Sequence, residues 1–103
     1  MINIAAEKNF ENRIKRYLKE KGIYHFKTFG NAYQRSGLAD IICCVNGYFL
    51  GIEVKAENGR PSDLQLYEQR QVEASNGISL IVKPSDFEYL KTVINELLER
   101  KHT

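Results

Sequence analysis

Three side chains near the middle of the chain have the types and spacing to do chemistry together: Asp40, Glu53 and Lys55. Ala39–Val45 and Tyr48–Lys55 are strand-like runs separated by Asn46-Gly47, a dipeptide whose residues both tolerate positive φ and so favour a two-residue hairpin turn. With that turn Val45 faces Tyr48, and the register predicts Asp40 directly across from Glu53. Lys55 projects from the same face as Glu53, whereas Ile52 and Val54 project from the other. Two carboxylates at cross-strand positions repel, and one nearby ammonium relieves this only in part. A hard divalent cation between them turns the repulsion into a binding site. A hairpin with one water-facing side would carry polar residues all along that face. Here the face continues through Ile42, Cys44, Phe49 and Gly51, so the acids are expected at one end of an otherwise buried strand pair.

The elements that must hold this hairpin can be read on either side of it. Phe10, Ile14, Tyr17 and Leu18 form one apolar stripe, which predicts a helix over about residues 5–21 stopped by Gly22. Tyr24–Phe29 reads as a short strand and 30–38 as a loop. After a second loop over 56–61, a helix is expected from about Ser62 to Asn76, ended by Gly77. Ser62-Asp63-Leu64-Gln65 opens it as a capping box with Gln65 at its fourth position. Ile78–Lys83 reads as a buried strand broken by Pro84. Ser85-Asp86-Phe87-Glu88 is read as a second capping box, opening a last helix that places Phe87, Leu90, Ile94, Leu97 and Leu98 on one face. The order is α-β-β-β-α-β-α, an α/β fold with a mixed sheet whose first three strands form a meander.

Length and composition bound the reading. At 103 residues, 43% hydrophobic and 27% charged, the chain is expected to be one globular domain over 1–103 with a single core. No run approaches the ~18 apolar residues of a membrane span, and Met1-Ile2-Asn3-Ile4-Ala5-Ala6 does not read as a secretory signal. Cys43 and Cys44 are neighbours, which makes neither a disulfide framework nor a zinc site; they read as small core residues, and the expected compartment is the cytoplasm. The net charge is only +2, but it is unevenly spread. Residues 1–37 hold eight Lys/Arg against three acids, a pattern that fits either an electrostatic footprint for phosphates or a solvated helix face.

Ser36-Gly37-Leu38-Ala39-Asp40, Gly51-Ile52-Glu53-Val54-Lys55 and Gly59-Arg60-Pro61-Ser62-Asp63-Leu64-Gln65 together resemble the VRR-NUC (virus-type replication-repair nuclease) branch of the PD-(D/E)xK nucleases. The resemblance runs from about Phe10 to Pro84. It implies a restriction-endonuclease-like αβββαβ core with a mixed four-stranded sheet and a C-terminal helix. Ala39 departs from the family pattern, which usually has proline before the aspartate; the position contributes backbone geometry and no chemistry.

The resemblance also implies roles. Asp40 and Glu53 match the metal-binding carboxylates, with the Val54 carbonyl as a further ligand of Mg²⁺ or Mn²⁺. Lys55 matches the lysine that positions or helps deprotonate the attacking water and stabilises the charged transition state. Such hydrolysis needs a nucleophile made at neutral pH and positive charge on the scissile phosphate. Glu11 matches a helical glutamate that orders a metal-bound water or a second cation, with Glu7, one turn earlier, as the alternative. Gln65 points into the active site in the family pattern, and this does not exclude its capping role.

Among the remaining polar residues, Lys27, Arg35 and Arg60 flank the expected site and fit phosphate contacts. Tyr33 and Tyr48 fit either base stacking or packing, and His25 and His102 belong to no metal or base constellation. The expected function is that of a metal-dependent DNA endonuclease, structure-specific and similar to Holliday-junction resolvases, with DNA, branched in form, as its partner. Paired nicks on a branched substrate need two sites, which a homodimer supplies by two-fold symmetry; aromatic and leucine residues of the terminal helices could form the interface. A flap or nicking nuclease working with a replication partner is the alternative within enzymes. A non-catalytic nucleic-acid-binding module is the alternative outside them. The family resemblance fits a phage or mobile-element setting.

Overall fold

The computed structural model describes residues 4–29 and 34–101. Tyr33 and His102 lie outside them. The elements are α1 (Ile4–Glu20), β1 (Tyr24–Lys27), β2 (Ile41–Val45), β3 (Tyr48–Val54), α2 (Asp63–Ala74), β4 (Ile78–Val82), a 3₁₀ turn (Pro84–Asp86) and α3 (Phe87–Glu99). This is the expected α/β order. The four strands form one sheet in the order β1-β2-β3-β4, antiparallel except for the parallel β3–β4 pair that α2 connects. A parallel neighbour needs such a crossover, because the chain must return to the same end of the sheet.

Strand alternation divides the sheet cleanly. Ile41, Cys43 and Val45 of β2, with Leu50, Ile52 and Val54 of β3, are all buried and form one core with Phe10, Ile14 and Leu18 of α1 and Leu90, Ile94 and Leu97 of α3. Phe87 seals the seam between those helices edge-to-face with Phe10, at 5.8 Å between ring centroids. The opposite face carries Ile42, Cys44, Phe49, Gly51 and Glu53, and α2 covers only part of it. Cys44 is exposed and Phe49 is 42% exposed, so the acids do not terminate an otherwise buried face. Cys43 alone is a core cysteine, with burial pushing its thiol up to about 12.

The hairpin register is the expected one: Val45 pairs with Tyr48, and the ladder runs to Ile41 opposite Ile52. Asn46 and Gly47 take φ of 52° and 85°, the positive values that the turn demands. The Asn46 amide also donates to the carbonyls of Leu97 and Arg100, tying the turn to the end of α3. Three local expectations fail. Asp86, not Ser85, precedes α3; its carboxylate accepts from the Lys83 N–H to close the 3₁₀ turn, while Ser85 bonds to Glu57, so the second capping box does not form. Asn76 at φ 67°, rather than Gly77, takes the left-handed position after α2. Leu98 lies at the margin of the buried stripe of α3 and is 38% exposed.

Gly37 fixes the loop that leads into Asp40. Its φ is +92°, and a Cβ there would lie 2.6 Å from the Leu64 carbonyl oxygen in the first turn of α2. Both the positive φ and the backbone contact exclude a side chain. Gly37→Ala is expected to destabilise the fold by about 2–4 kcal/mol, read from the midpoint of denaturant unfolding; an unchanged midpoint would show that the loop does not dock this way.

Candidate active site

Asp40 sits one residue before β2, held from two sides. The Thr28 N–H donates to its carbonyl at 2.9 Å, and the Thr28 hydroxyl donates to the Ala39 carbonyl at 2.6 Å. Its Oδ2 accepts from the Val54 N–H at 2.8 Å. Asp40 is therefore not a ladder partner of Glu53, as the simple register predicts. Its side chain takes over the β3 hydrogen bond where the ladder stops, which still brings the two carboxylates together.

Glu53 is 5% exposed on the last turn of the β3 pleat. Its Oε2 accepts from Gln65 Nε2 at 2.6 Å and lies 3.4 Å from Lys55 Nζ. Its Oε1 is buried and receives no hydrogen bond. Burial, and next the Asp40 charge, push the Glu53 pKa up to about 8, against the smaller opposing effect of Lys55. Ionised, a buried, half-satisfied carboxylate beside a second one is costly unless a proton or a cation neutralises it.

Gln65 closes the capping box and also reaches Glu53. The Ser62 side chain accepts from the Gln65 N–H at 3.1 Å, and Gln65 Oε1 accepts from the Ser62 N–H at 2.8 Å, which completes the capping box. With its oxygen engaged in the cap, the same amide must aim its NH₂ at Glu53. The helix start thus sets the rotamer of a site residue.

Each carboxylate borders its own cleft. One, of about 110 Å³, lies under α2 and is lined by Glu53, Gln65, Glu68 and Gly51 among others. The other, of about 230 Å³, lies against α1 and is lined by Asp40, Val54, Glu7, Glu11, Lys8 and Lys27. Glu11 faces this second cleft, but both its oxygens are engaged by lysines. Glu7 accepts from the Ala56 N–H at 3.3 Å, fastening α1 to the end of β3. Among the described residues no group of three or more His, Cys, Asp or Glu is arranged to hold a metal ion. Asp40 and Glu53 stand as a pair, with Val54 beside Asp40 on the α1 cleft, and Glu11 is engaged by lysines instead. The pair fits a hard cation in its chemistry: two oxygen donors, one of them orphaned in the interior.

The flanking cations divide. Lys27 is engaged with Glu11 at 2.7 Å. Arg35 is 73% exposed and pairs with the buried Glu68 of α2 at 3.0 Å, an anchor that the sequence reading missed. Arg60 is exposed on the loop before α2. Tyr48 is half-buried beneath Arg100, whose guanidinium lies 5.3 Å from the ring centre, so it packs rather than presenting a stacking face. The sequence reading also missed Lys8 and Lys15, although their spacing of three before and four after Glu11 puts all three side chains on one helix face. No helix among the described residues is long and apolar enough to cross a membrane. No family model, curated protein or solved structure matches the chain.

The raised Glu53 pKa sets a pH dependence. The folded state holds a proton on Glu53 that the unfolded chain releases near the ordinary carboxylate value of 4.5, so this residue lowers stability as pH rises from there to about 8. In EDTA, Glu53→Gln is expected to melt higher than the parent at pH 8.5, with the difference vanishing near pH 4.5. Added Mg²⁺ should stabilise the parent increasingly with pH and leave the variant unmoved. Thermal melts across that range check both; a Mg²⁺ effect retained in Glu53→Gln would remove the cation from this carboxylate.

Proposed function

We propose that the chain is a metal-dependent DNA endonuclease of the VRR-NUC type. The observation that carries the reading is the buried Glu53 carboxylate, orphaned at Oε1 and set beside Asp40 with Lys55 3.4 Å from its other oxygen. Structural carboxylates are normally satisfied, and one left short in the interior calls for a ligand. In this reading Asp40 and Glu53 hold a Mg²⁺ or Mn²⁺ ion together with the Val54 carbonyl. The ion, when bound, supplies Lewis-acid stabilisation of the phosphate and lowers the pKa of a water.

The protein's own groups do the rest. Lys55, with its side chain 15% exposed, keeps a largely desolvated ammonium next to the carboxylates, where it can orient the attacking water and offset charge building on the phosphate. Gln65 holds Glu53 Oε2, so the carboxylate keeps one orientation as the proton on it is exchanged for a cation. Arg35 and Arg60 are the proposed contacts to flanking phosphates. The proposed substrate is branched DNA, cut by paired nicks from a homodimer, since a chain of this size presents one site and a symmetric junction needs two.

Labelled four-way junction, flap and linear duplex DNA, incubated with Mg²⁺, Mn²⁺ or EDTA, test the proposal. Cleavage is expected with either cation and none with EDTA. Lys55→Ala and Glu53→Ala should each lower the rate by about 10²-fold or more while DNA binding persists. Paired nicks on the junction would support the resolvase form; flap or duplex cutting alone would remove it and keep the nuclease. Cleavage that survives EDTA, or persists at the parent rate in Lys55→Ala, would sink the mechanism.

A further inference from the structure

Three ammonium groups converge on Glu11. Lys27 Nζ lies 2.7 Å from Oε1, and Lys8 Nζ and Lys15 Nζ each lie 3.3 Å from Oε2. The Glu11 side chain is 8% exposed, whereas those of Lys8, Lys15 and Lys27 are 56%, 30% and 23% exposed. The carboxylate is therefore the floor of the cluster and the ammoniums its rim. Burial pushes the Glu11 pKa up, but the hydrogen bonds from Lys27 and Lys8 and the charge of Lys27 prevail, with a further hydrogen bond from Lys15, and hold it below its ordinary value. Ionised Glu11 offsets one of the three lysine charges and leaves two facing outward. The rim opens on the cleft that Lys8 and Lys27 share with Asp40 and Val54. Glu7, on the same cleft, is turned to the Ala56 N–H.

We infer that Lys8, Lys15 and Lys27, gathered on Glu11, form a cradle for a backbone phosphate of a nucleic-acid strand that continues across Asp40 and Glu53. The inference rests on the nuclease reading and departs from the metal role that resemblance gives Glu11. An ammonium has three donors, so each lysine can keep its bond to Glu11 and offer others to phosphate oxygens. Without the buried carboxylate the three like charges repel one another and separate into solvent. Lysine–phosphate contacts supply sequence-independent affinity and fix where a strand lies, here one side of the carboxylate pair. Glu11 is thus a positioning residue that acts through the lysines.

The test is binding of a labelled DNA duplex to the full chain in EDTA over a range of salt concentrations, where neither cation nor cleavage enters. Lys8→Gln and Lys15→Gln are each expected to weaken binding and to reduce the slope of log K against log salt by about 0.9. Glu11→Gln is expected to weaken binding several-fold, although it removes a negative charge from a DNA-facing surface. Equal or tighter binding by a folded Glu11→Gln overturns the cradle. Unchanged slopes in the two lysine variants overturn it as well, and they decide the matter if Glu11→Gln fails to fold. Displacement of DNA by inorganic phosphate, beyond what sulfate achieves at equal ionic strength, would assign the lysines to free phosphate instead. Cradle-dependent binding without cation-dependent cleavage would remove the nuclease reading and keep the phosphate site. Cleavage with parent-like binding in all three variants would do the reverse.

Discussion

Two carboxylates forced together at the end of a hairpin are the constraint around which the rest is arranged. Asp40 cannot relax away from Glu53, because the Val54 N–H holds its side chain and Thr28 holds its backbone. Glu53 cannot escape to water, because it lies at the buried end of its strand and Gln65 grips one oxygen. What remains is a proton retained to about pH 8 or, in the proposed reading, a cation. Either neutralises charge that one ammonium, Lys55, does not.

On the α1 side of Asp40 the electrostatic problem is inverted. Around Glu53 two carboxylates share one lysine; around Glu11 three lysines share one carboxylate. Each cluster is unbalanced, and the imbalances have opposite sign. In the proposed reading, neighbouring clusters of opposite imbalance would suit a polyanion with one phosphate at the carboxylates and another at the lysines. The α1 helix connects the two: Glu11 faces the lysines while Glu7, one turn earlier, is bonded to the backbone just past β3. Rotation of that helix would disturb both ends together.

Much of this was legible in the chain. The Asn46-Gly47 turn dictates its own register because both residues must take positive φ, and strand alternation then puts Glu53 and Lys55 on one face. The Ser62–Gln65 box was legible for the same reason, since it is a local hydrogen-bonding pattern. The second box, Ser85–Glu88, had the right residues and did not form, because Asp86 offered the backbone a shorter closure and Glu57, distant in sequence, took Ser85. The burial of the Asp40 face was misjudged at Cys44 and Phe49. Residue type says that they can be covered, and only the reach of α2 decides whether they are.

Glu11 marks the same boundary. Its identity and its helix were readable, and so, by helical spacing, was its contact with Lys8 and Lys15. Its nearest partner was not, because Lys27 comes from β1 and reaches the helix only once the sheet has packed against α1. The sequence by itself determined the order of elements, the hairpin register and which residues could carry charge, all consequences of local geometry and side-chain period. The tertiary structure decided which charges meet, which oxygen is left without a partner, and which faces water reaches. Those depend on distances between segments far apart in the chain, and a small change in distance changes the electrostatic balance of a buried group.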